Sequence, residues 1–589
     1  MNMKKIHYYI ICAFSAICGL SSCTDFLEIK PQNEIILEQF WNEKADVDAV
    51  IAGCYSGMQA EGVIKRMMVW GEFRSDNIGP GSNTTSDGSL EKVLKENIDA
   101  KNTYTNWGGF YTVINRCNTV IKYAPGVAAD DPAYTESELQ ANIAEMVALR
   151  SLCYFYLIRA FRDVPFSREA YIDDNQKMDL PATKFNDVLD SLIYDLEGVQ
   201  NQAIKRYPTT KELYQTGRIT QDVIHALLCE LYLWKKDYEN CIRYADMVIE
   251  SKKAIAEENR QKRSSSFSNE DAEERFNGFP LVSNSTSNSY FGDAYTVLFG
   301  RDRGNVDEVN QEIIFQLIFD DNPSDNGMPA NGAVNSFYGN SNATVGLVAP
   351  SDYIFNDIDK TSGRKVFADR NKKRDSRMYF NCDLDDKSIN KYTTSTIDIS
   401  VSGSSPEVSY GSLYSQNQNG SNWIIYRLTD IMLLKAEALT QLVREGSDQE
   451  TGDYNKSILD RAFTLVNAVN KRAICQNQLA DTLRRNEYNS KVDMENLVLQ
   501  ERQRELMFEG KRWFDLVRLS QRNGNTNQLK DAALSKHTTG TGLISNHLTK
   551  MDAIYWPYNL DEMKVNLNLV QNPAFGSGEN DSYQKTTKK

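Results

Sequence analysis

The sequence predicts a mainly α protein, in which a scaffold of tetratricopeptide-like helix pairs carries long irregular loops and a few short strands. Three observations support this fold class. Apolar residues recur at helical spacing in several segments of the 589-residue chain. Two amphipathic segments, 220–235 and 238–251, are joined by a tight turn at Lys236-Asp237, as in a tetratricopeptide unit. Long polar stretches rich in Asn, Ser and Gly separate the helical blocks.

In the first half of the chain, Asn42 is the predicted N-cap of a helix whose apolar stripe contains Val47, Val50, Ile51 and Cys54. Further helices are predicted over 107–123, 141–162 and 185–201. The helix 141–162 is apolar on most faces, so we expect neighbouring helices to bury it. It should end before Val164-Pro165, because a residue before proline is disfavoured in the helical region.

In the second half, a helix pair over 426–443 and 454–473 follows the pair at 220–251. A last long helix is predicted from about Met494, with a bend near Gly510. The irregular stretches are 257–300, 321–350 and 381–422, and a short strand is predicted over 312–319. Loops of this length in a compact protein are usually functional or disordered.

The N-terminus has the layout of a bacterial lipoprotein signal. Lys4 and Lys5 precede an apolar segment over about 6–20, and the run Gly19-Leu20-Ser21-Ser22-Cys23 follows. The apolar segment is shorter than the roughly 20 residues that span a membrane. We therefore predict that the mature chain begins at Cys23 and is anchored by acyl chains on its thiol. An ordinary signal peptide or a buried core strand is the alternative.

The predicted organisation has five parts. Residues 1–22 are the signal peptide and 23–40 a lipidated tether. Residues 41–256 form an N-terminal helical region with tetratricopeptide-like repeats, 257–422 an irregular ligand-binding region, and 423–589 a C-terminal helical region.

The composition excludes some function classes. Hydrophobic residues make up 41% of the chain, which is enough for a core. The formal net charge of −14 argues against a nucleic-acid partner, because such proteins neutralise phosphates with basic side chains. Without Cys12, Cys18 and Cys23, seven of the ten cysteines remain, an odd number, mostly in apolar helical surroundings. They are expected to be free, buried thiols.

No cofactor is predicted, and no metal site. The chain has no CxxC motif, and its histidines lack a second histidine at metal-ligand spacing. Whether a cation assists ligand binding stays open.

Several segments together carry a family resemblance. They are Cys23-Thr24-Asp25-Phe26-Leu27 with Pro31; Trp70 with Glu72 and Arg74-Ser75-Asp76-Asn77; Trp107, Tyr111, Ile114 and Asn118; Ala148-Leu149-Arg150 through Asp163-Val164-Pro165; Tyr426-Arg427-Leu428 with Ala436-Glu437-Ala438; Glu501-Arg502 and Arg504-Glu505-Leu506; Phe508-Glu509-Gly510-Lys511-Arg512-Trp513-Phe514-Asp515-Leu516; and Trp556-Pro557 with Gln571-Asn572-Pro573. In this order they resemble the SusD/RagB family of outer-membrane nutrient-binding lipoproteins, over nearly the whole mature chain.

The resemblance implies a SusD-like fold with four tetratricopeptide-like helix pairs and a second, ligand-bearing half. It implies capture of oligosaccharide or polysaccharide, or of peptides in one branch, at the cell surface. It also implies delivery to a SusC-like TonB-dependent transporter, on which the protein sits as a hinged lid. The implied location is the outer membrane, lipid-anchored and facing the exterior.

Most residues of the family motifs are expected to be structural. Glu505, Glu509 and Arg512 fall at spacings of four and three, which predicts one ion-paired patch on a helix. Arg150 and Arg159 lie in apolar helices and should satisfy buried carbonyls or carboxylates. Trp513 and Phe514 are expected in the core.

Sugar rings stack on aromatic side chains, and their hydroxyls bond to polar groups, so aromatic residues in polar loops are the binding candidates. Packing inside the protein is the alternative for each ring. The loop positions favour Tyr290, Phe337 and Tyr338 most. The full set of predicted ligand-binding residues is Trp70, Asp76, Asn77, Tyr104, Tyr290, Phe291, Tyr295, Phe337 and Tyr338.

No catalytic residue is predicted. The chain lacks GxSxG, HExxH, P-loop and GxGxxG motifs in a fitting context. With 80 acidic residues, a pair of carboxylates at suitable spacing carries no information. The sequence thus favours a non-catalytic glycan-capture lipoprotein. The alternatives are peptide capture on the same fold, a tetratricopeptide scaffold for protein partners, and a lipid-anchored hydrolase.

Overall fold

The computed structural model describes most of the chain from residue 40 to 576. The described ranges are 40–173, 175–262, 276–282, 294–299, 306–320, 327–339, 346–355, 366–367, 375–383, 387–393, 397–402, 405–410, 419–473 and 483–576. The predicted signal peptide, the tether and Cys23 lie outside them. Within them helices dominate, which confirms the mainly α fold class.

The α-helices in the described part of the chain are Lys44–Gln59, Glu61–Met68, Gly88–Leu94, Gly108–Asp130, Glu136–Phe161, Phe185–Val199, Tyr214–Gly217, Gln221–Lys235, Tyr238–Lys262, Ala294–Phe299, Val306–Glu312, Gly332–Tyr338, Asp352–Phe355, Arg377–Phe380, Leu428–Gln441, Gln449–Ala473, Lys491–Leu506, Arg512–Asn523, Asn527–Ser535, Thr541–Leu548 and Leu560–Val565, with a π-helical turn at Val69–Phe73. The strands form antiparallel pairs: Ile78–Pro80 with Val348–Pro350, Val164–Pro165 with Ala182–Thr183, Ile313–Leu317 with Trp423–Arg427, and Ile397–Ser402 with Ser405–Tyr410.

Helices adjacent in sequence pack as pairs. Gln221–Lys235 and Tyr238–Lys262 are joined by Lys236 in the left-handed conformation, which confirms the predicted tight turn. Glu136–Phe161 packs on Gly108–Asp130 and begins with a capping box in which Thr135 and Glu138 satisfy each other's backbone N–H groups. By length and composition this helix could cross a membrane, but 94% of its most apolar window is buried inside the protein, as expected for a core helix.

Asn42 is not the N-cap of the first helix. The helix begins at Lys44, and Glu43 and Asp46 form its capping box. The Asn42 backbone N–H donates to the Asp46 carboxylate at 3.0 Å, so Asn42 lies one residue outside the cap.

The predicted helix 426–443 begins later than expected. Tyr426 and Arg427 belong to the strand Trp423–Arg427, and the helix runs over Leu428–Gln441. The strand pairs with Ile313–Leu317, which lies within the predicted strand 312–319 and confirms it. This pairing partner is remote in sequence, so local periodicity does not report it.

The predicted last helix is two helices, Lys491–Leu506 and Arg512–Asn523. The first helix ends where Met507 takes a ψ value of 132°, and Phe508 and Gly510 then have φ values of 67° and 71°. Gly71 lies against this break: a Cβ atom on it would come within 1.9 Å of the Gly510 carbonyl oxygen. Only glycine fits at position 71.

A buried ion network joins the second half of the protein. Arg427 and Arg472 donate to Glu505 Oε1 at 2.6 and 2.5 Å, and Arg377 donates to Oε2 at 3.1 Å. Glu312 accepts from both Arg427 and Arg472. All these side chains are at most 1% exposed. Such pairs compensate one another's desolvation, and loss of one member leaves a buried charge unpaired.

The predicted ion patch is therefore partly wrong. Glu505 and Glu509 do share a partner, because Arg427 also donates to Glu509 at 2.8 Å. Arg512 lies beyond the helix break and pairs instead with Asp76 at 2.8 Å. The break at Phe508–Gly510 rotates Arg512 away from the glutamates.

Other structural predictions are confirmed. Arg150 donates to Asp195 at 2.8 Å, and Arg159 donates to Glu230 at 2.9 Å. Trp513 and Phe514 are each 1% exposed. The six cysteines in the described part of the chain are buried. Cys54, Cys117, Cys153, Cys229 and Cys241 are free thiols, and the sixth is Cys382.

The C-terminal segment closes onto the N-terminal helices. The backbone N–H groups of Trp556 and Leu560 donate to the carbonyls of Ala160 and Ala100, each at 2.8 Å. The Tyr558 hydroxyl donates to the Asp163 carbonyl at 2.6 Å. The first and last thirds of the chain thus share one core.

Candidate functional site

Trp70 lies in a buried cluster of aromatic side chains. Trp70 is fully buried in the π-helical turn, and its indole N–H donates to the Tyr104 carbonyl at 2.8 Å. Its ring stacks on Phe110, with ring centroids 5.0 Å apart. Tyr104 is 6% exposed, and its hydroxyl donates to Asp87 at 2.6 Å. Burial raises the pKa of Tyr104 above its ordinary value.

Phe337 and Tyr338 lie in the same aromatic cluster. The Phe337 ring contacts the Phe73 ring edge-on at 4.9 Å and the Tyr104 ring at 6.2 Å. Tyr338 donates its hydroxyl to the Phe508 carbonyl at 2.9 Å. The structure therefore brings these residues together: Tyr104 links Trp70 to Phe337, and Phe73 contacts both Phe337 and Tyr338.

Asp76 and Asn77 hold two chain segments together. Asp76 accepts from the Arg512 guanidinium and from Gln503 Nε2, the latter at 3.0 Å. Asn77 donates to Glu72 at 2.7 Å and accepts from Gln503 at 2.9 Å. Both residues are buried, and their polar atoms bond within the protein.

Tyr295 lies apart from this cluster. It is 2% exposed, and its hydroxyl donates to Glu505 in the buried ion network at 2.8 Å. Tyr290 and Phe291 lie outside the described residues. A ligand contact by any residue of the predicted set remains a prediction.

A polar groove with a volume of about 1090 Å³ opens next to the aromatic cluster. We call it the polar groove; its lining comes from segments 78–100, 536–547 and 574–575. The first segment follows directly after Asn77 and includes the strand Ile78–Pro80. Lys536 connects the groove to the cluster, because its ammonium donates to the Phe73 carbonyl at 2.9 Å.

The carboxylates of the polar groove are ion-paired. Lys95 donates to Glu91 and Lys92 to Asp99, each at 2.6 Å. Glu96 is buried and accepts from Arg74 at 2.8 Å. Each acidic residue of the groove lining thus forms an ion pair with a basic side chain, which is an exposed lysine for Glu91 and Asp99 and the buried Arg74 for Glu96.

The groove also contains imidazole and aromatic rings. His547 contacts Phe575 edge-on, with ring centroids 5.4 Å apart. Burial and the adjacent Lys536 charge lower the pKa of His537 to about 4, and burial lowers that of His547. Burial likewise lowers the pKa of Lys536 to about 8. Both imidazoles are therefore neutral at pH 7.

A second groove, of about 790 Å³, lies between segments 107–118, 165–180 and 562–569. Its tyrosines and amides bond within the protein: the hydroxyls of Tyr111 and Tyr154 donate to the carbonyls of Pro165 and Ser167. Met178 and Val565 on its rim are 52% and 77% exposed. This lining is less suited to hydroxyl-rich ligands than that of the polar groove.

Sequence reasoning missed the segment 536–547 and Phe575. In the sequence, His537 and His547 have the side chain of a potential metal ligand but no pattern that predicts a sugar contact. Phe575 follows Asn572-Pro573 in a polar segment near the C-terminus. This polar surrounding is the sequence feature that could have identified Phe575 as an aromatic residue in a loop.

Comparisons with known proteins agree on one family. A family model described as "SusD family" matches residues 311–575, and one described as "Starch-binding associating with outer membrane" matches residues 25–233. SusD-like protein P38 of Formosa agariphila is 25% identical over 569 residues, covering 94% of this chain and 96% of that protein. SusD-like protein P2 of the same organism is 23% identical, covering 88% of this chain and 91% of that protein.

Solved structures share the fold. A SusD superfamily protein from Bacteroides thetaiotaomicron superposes with a TM-score of 0.60 at 19% identity, covering 91% of this chain and 99% of that one. Another, from Bacteroides vulgatus, gives a TM-score of 0.60 at 15% identity, covering 91% of this chain and 100% of that one.

Proposed function

Because this chain belongs to the SusD/RagB family, we propose that it captures oligosaccharide or polysaccharide at the outer membrane, without catalysis, and delivers it to a partner TonB-dependent transporter. The observation that carries the proposal is the polar groove. Its volume of about 1090 Å³ is sufficient for a short glycan segment. The family description "Starch-binding associating with outer membrane" agrees with this ligand class and location.

The groove presents the chemistry that sugars require. Hydroxyl and amide groups at Thr85, Thr538, Thr539 and Asn97 are on exposed residues of the lining. Phe575 provides an aromatic ring beside them. Neutral polar groups can both donate to and accept from sugar hydroxyls, and a rigid ring gives contact area at low entropy cost.

Binding without turnover is favoured by the state of the carboxylates. A glycosidase uses one carboxyl group as an acid and a second as a base or nucleophile, both open to the substrate. Glu91 and Asp99 are accessible from the groove but are held in ion pairs with lysines, and Glu96 is buried with Arg74. The motif residue Glu505 is fully buried, so no substrate reaches it.

The test is a binding screen of the mature chain on immobilised glycans, with product analysis of the same mixtures. We expect binding without new products, and weaker binding for Phe575→Ala and His547→Ala. Val565→Ala on the rim of the second groove is the matched control and should bind normally.

Other outcomes identify the alternatives. Released sugar would show a hydrolase, and binding of peptides alone would show the peptide branch of the family. Failure to bind either ligand would leave the protein-interaction scaffold. Copurification with a TonB-dependent transporter tests the delivery step.

The predicted ligand-binding residues need two readouts. Trp70, Tyr295, Phe337 and Tyr338 are buried, so alanine at these positions is expected to lower stability as well as affinity. A thermal melt must therefore accompany each titration. Asp76, Asn77 and Tyr104, which are buried as well, complete the set together with Tyr290 and Phe291. A ligand role requires lost affinity in a variant that is still folded at the temperature of the titration.

Cys23 is the proposed lipid attachment site. We expect Cys23→Ala to abolish acylation and membrane retention while glycan affinity stays unchanged, because acyl chains supply the anchoring free energy. Cell fractionation and labelling with a fatty-acid probe measure this. Protease treatment of intact cells tests the proposed orientation toward the exterior. A membrane-retained Cys23→Ala protein would contradict the lipid anchor.

A further inference from the structure

We propose that the polar groove selects uncharged glycans and discriminates against glycans that carry carboxylate or sulfate groups. This inference rests on the proposed function and names its ligand class. It follows from the distribution of charge in the groove.

Three basic side chains at the groove each pair with a carboxylate of the protein. Lys95 and Lys92 pair with Glu91 and Asp99, each at 2.6 Å. Arg74 lies beneath the floor, with 0% of its side chain exposed, and pairs with Glu96. An acidic sugar would have to displace one of these carboxylates or lie beside it, and like charges at such distances repel.

Lys536 is the remaining base of the described lining. Its ammonium already donates to the Phe73 carbonyl at 2.9 Å. It lies in the field of the Glu96, Asp76 and Glu72 carboxylates, and its burial disfavours the charged form. A ligand anion that approached Lys536 would therefore also approach a buried acid.

The other polar groups of the lining carry no charge at pH 7. His537 and His547 are neutral imidazoles, because their pKa values are lowered by burial. The threonine and asparagine side chains at 85, 97, 538 and 539 are neutral as well. The net charge of −14 adds a long-range repulsion toward polyanions.

The test compares one polymer in two charge states. A neutral polysaccharide that binds in the screen, from a panel of starch, β-glucan, mannan and galactan, is oxidised at its primary alcohols to carboxylates. Both forms are titrated at 20 and 200 mM NaCl. We expect the oxidised polymer to bind at least tenfold more weakly at 20 mM. The difference in affinity between the two forms should be smaller at 200 mM NaCl, because salt screens exposed charges.

A charge-release variant separates electrostatics from the loss of the primary hydroxyl. Glu91→Gln combined with Asp99→Asn frees Lys95 and Lys92. We expect the ratio of the affinity for the oxidised polymer to the affinity for the neutral polymer to be at least threefold higher in this variant than in the parent protein. Glu487→Gln, at an exposed acid outside the groove, is the control and should change neither affinity.

Tighter or equal binding of the oxidised polymer overturns the inference. The inference is also overturned if neither salt nor the charge-release variant reduces the difference in affinity between the neutral and the oxidised polymer. The loss of the primary hydroxyl would then explain that difference. Binding of naturally acidic glycans alone overturns the inference but leaves glycan capture intact. Absence of binding to every neutral and acidic glycan overturns the proposed function, and the inference with it.

Discussion

Glu505 occupies a site where four donors converge on one carboxylate. Arg377, Arg427, Arg472 and Tyr295 all donate to it, and none of its surface reaches solvent. Its complete burial therefore has a physical reason within the fold. The carboxylate neutralises guanidiniums that arrive from separate segments of the chain.

We expect Glu505→Gln to lower the free energy of unfolding by about 3–5 kcal/mol, since it leaves buried guanidiniums without their counter-charge. Urea unfolding followed by circular dichroism measures the change. Glu487→Gln, at an exposed position, should shift it by less than about 0.5 kcal/mol. Equal effects of the two variants would contradict the assigned role of the network.

The buried glutamates also predict how stability depends on pH. Burial opposes ionisation, but neighbouring guanidiniums outweigh it and hold the pKa of Glu505 well below its ordinary value, and those of Glu501 and Glu509 below theirs. A carboxyl group whose pKa is lower in the folded than in the unfolded state stabilises the fold at a pH above its unfolded-state pKa, which is about 4.3 for glutamate. This stabilisation is lost as the pH falls below that value. Glu72, whose pKa is raised by burial, has the opposite effect.

The glutamates with a lowered pKa outnumber the one with a raised pKa. We therefore expect the urea concentration at the unfolding midpoint to fall as the pH drops from about 5 toward 3. Midpoints at pH 7, 5, 4 and 3.5 measure this. A constant or rising midpoint on acidification would contradict the ionised state of the network.

At the scale of elements, the break between Lys491–Leu506 and Arg512–Asn523 positions the site. It lets the backbone N–H groups of Phe508 and Lys511 donate to Glu72, at 3.1 and 3.0 Å. The break also directs Arg512 toward Asp76. Asp76 lies two residues before the first segment of the polar groove, 78–100. The π-helical turn and the break thus form one joint.

Gly71→Ala tests this joint. The added methyl group would overlap the Gly510 carbonyl at 1.9 Å, so the backbone must move, and we expect a loss of several kcal/mol or no folded protein. Gly53→Ala is the matched control within a helix. No atom lies within 4 Å of its added Cβ, and alanine there should stabilise by about 0.5–1 kcal/mol. Thermal melts of both variants decide; a neutral Gly71→Ala would refute the close approach.

Elements with a strong local pattern could be predicted from the sequence, and elements set by remote contacts could not. The helix Glu136–Phe161 is marked by its apolar stripe, and the turn at Lys236 by short spacing. The strand at Tyr426 depends on pairing with Phe315. For the candidate site, loop composition marked Phe337 as aromatic in a polar segment. Its burial depends on Phe73, which no local pattern reports.

At the scale of the whole molecule, the C-terminal segment completes the N-terminal core. Trp556 is fully buried, and its backbone bonds to Ala160 at the end of the central helix. The two family-model matches, 25–233 and 311–575, therefore describe parts of one structural unit.

Trp556→Ala should destabilise the protein by about 3–5 kcal/mol, because it leaves a large cavity at this contact. The unfolding transition should remain single, since both parts share the core. Leu567→Ala, at a 62% exposed position in the same segment, is the control and should be nearly neutral. Two separate transitions in Trp556→Ala, with the N-terminal part unaffected, would show that the segments fold independently.

The same closure sets the order of events during synthesis. Ala100, Ala160 and Asp163 bond to residues near 556–560, which emerge from the ribosome hundreds of residues later. Until then, the apolar surface that Trp556 covers has no native partner. The native core can therefore be completed only after nearly the whole chain has been synthesised.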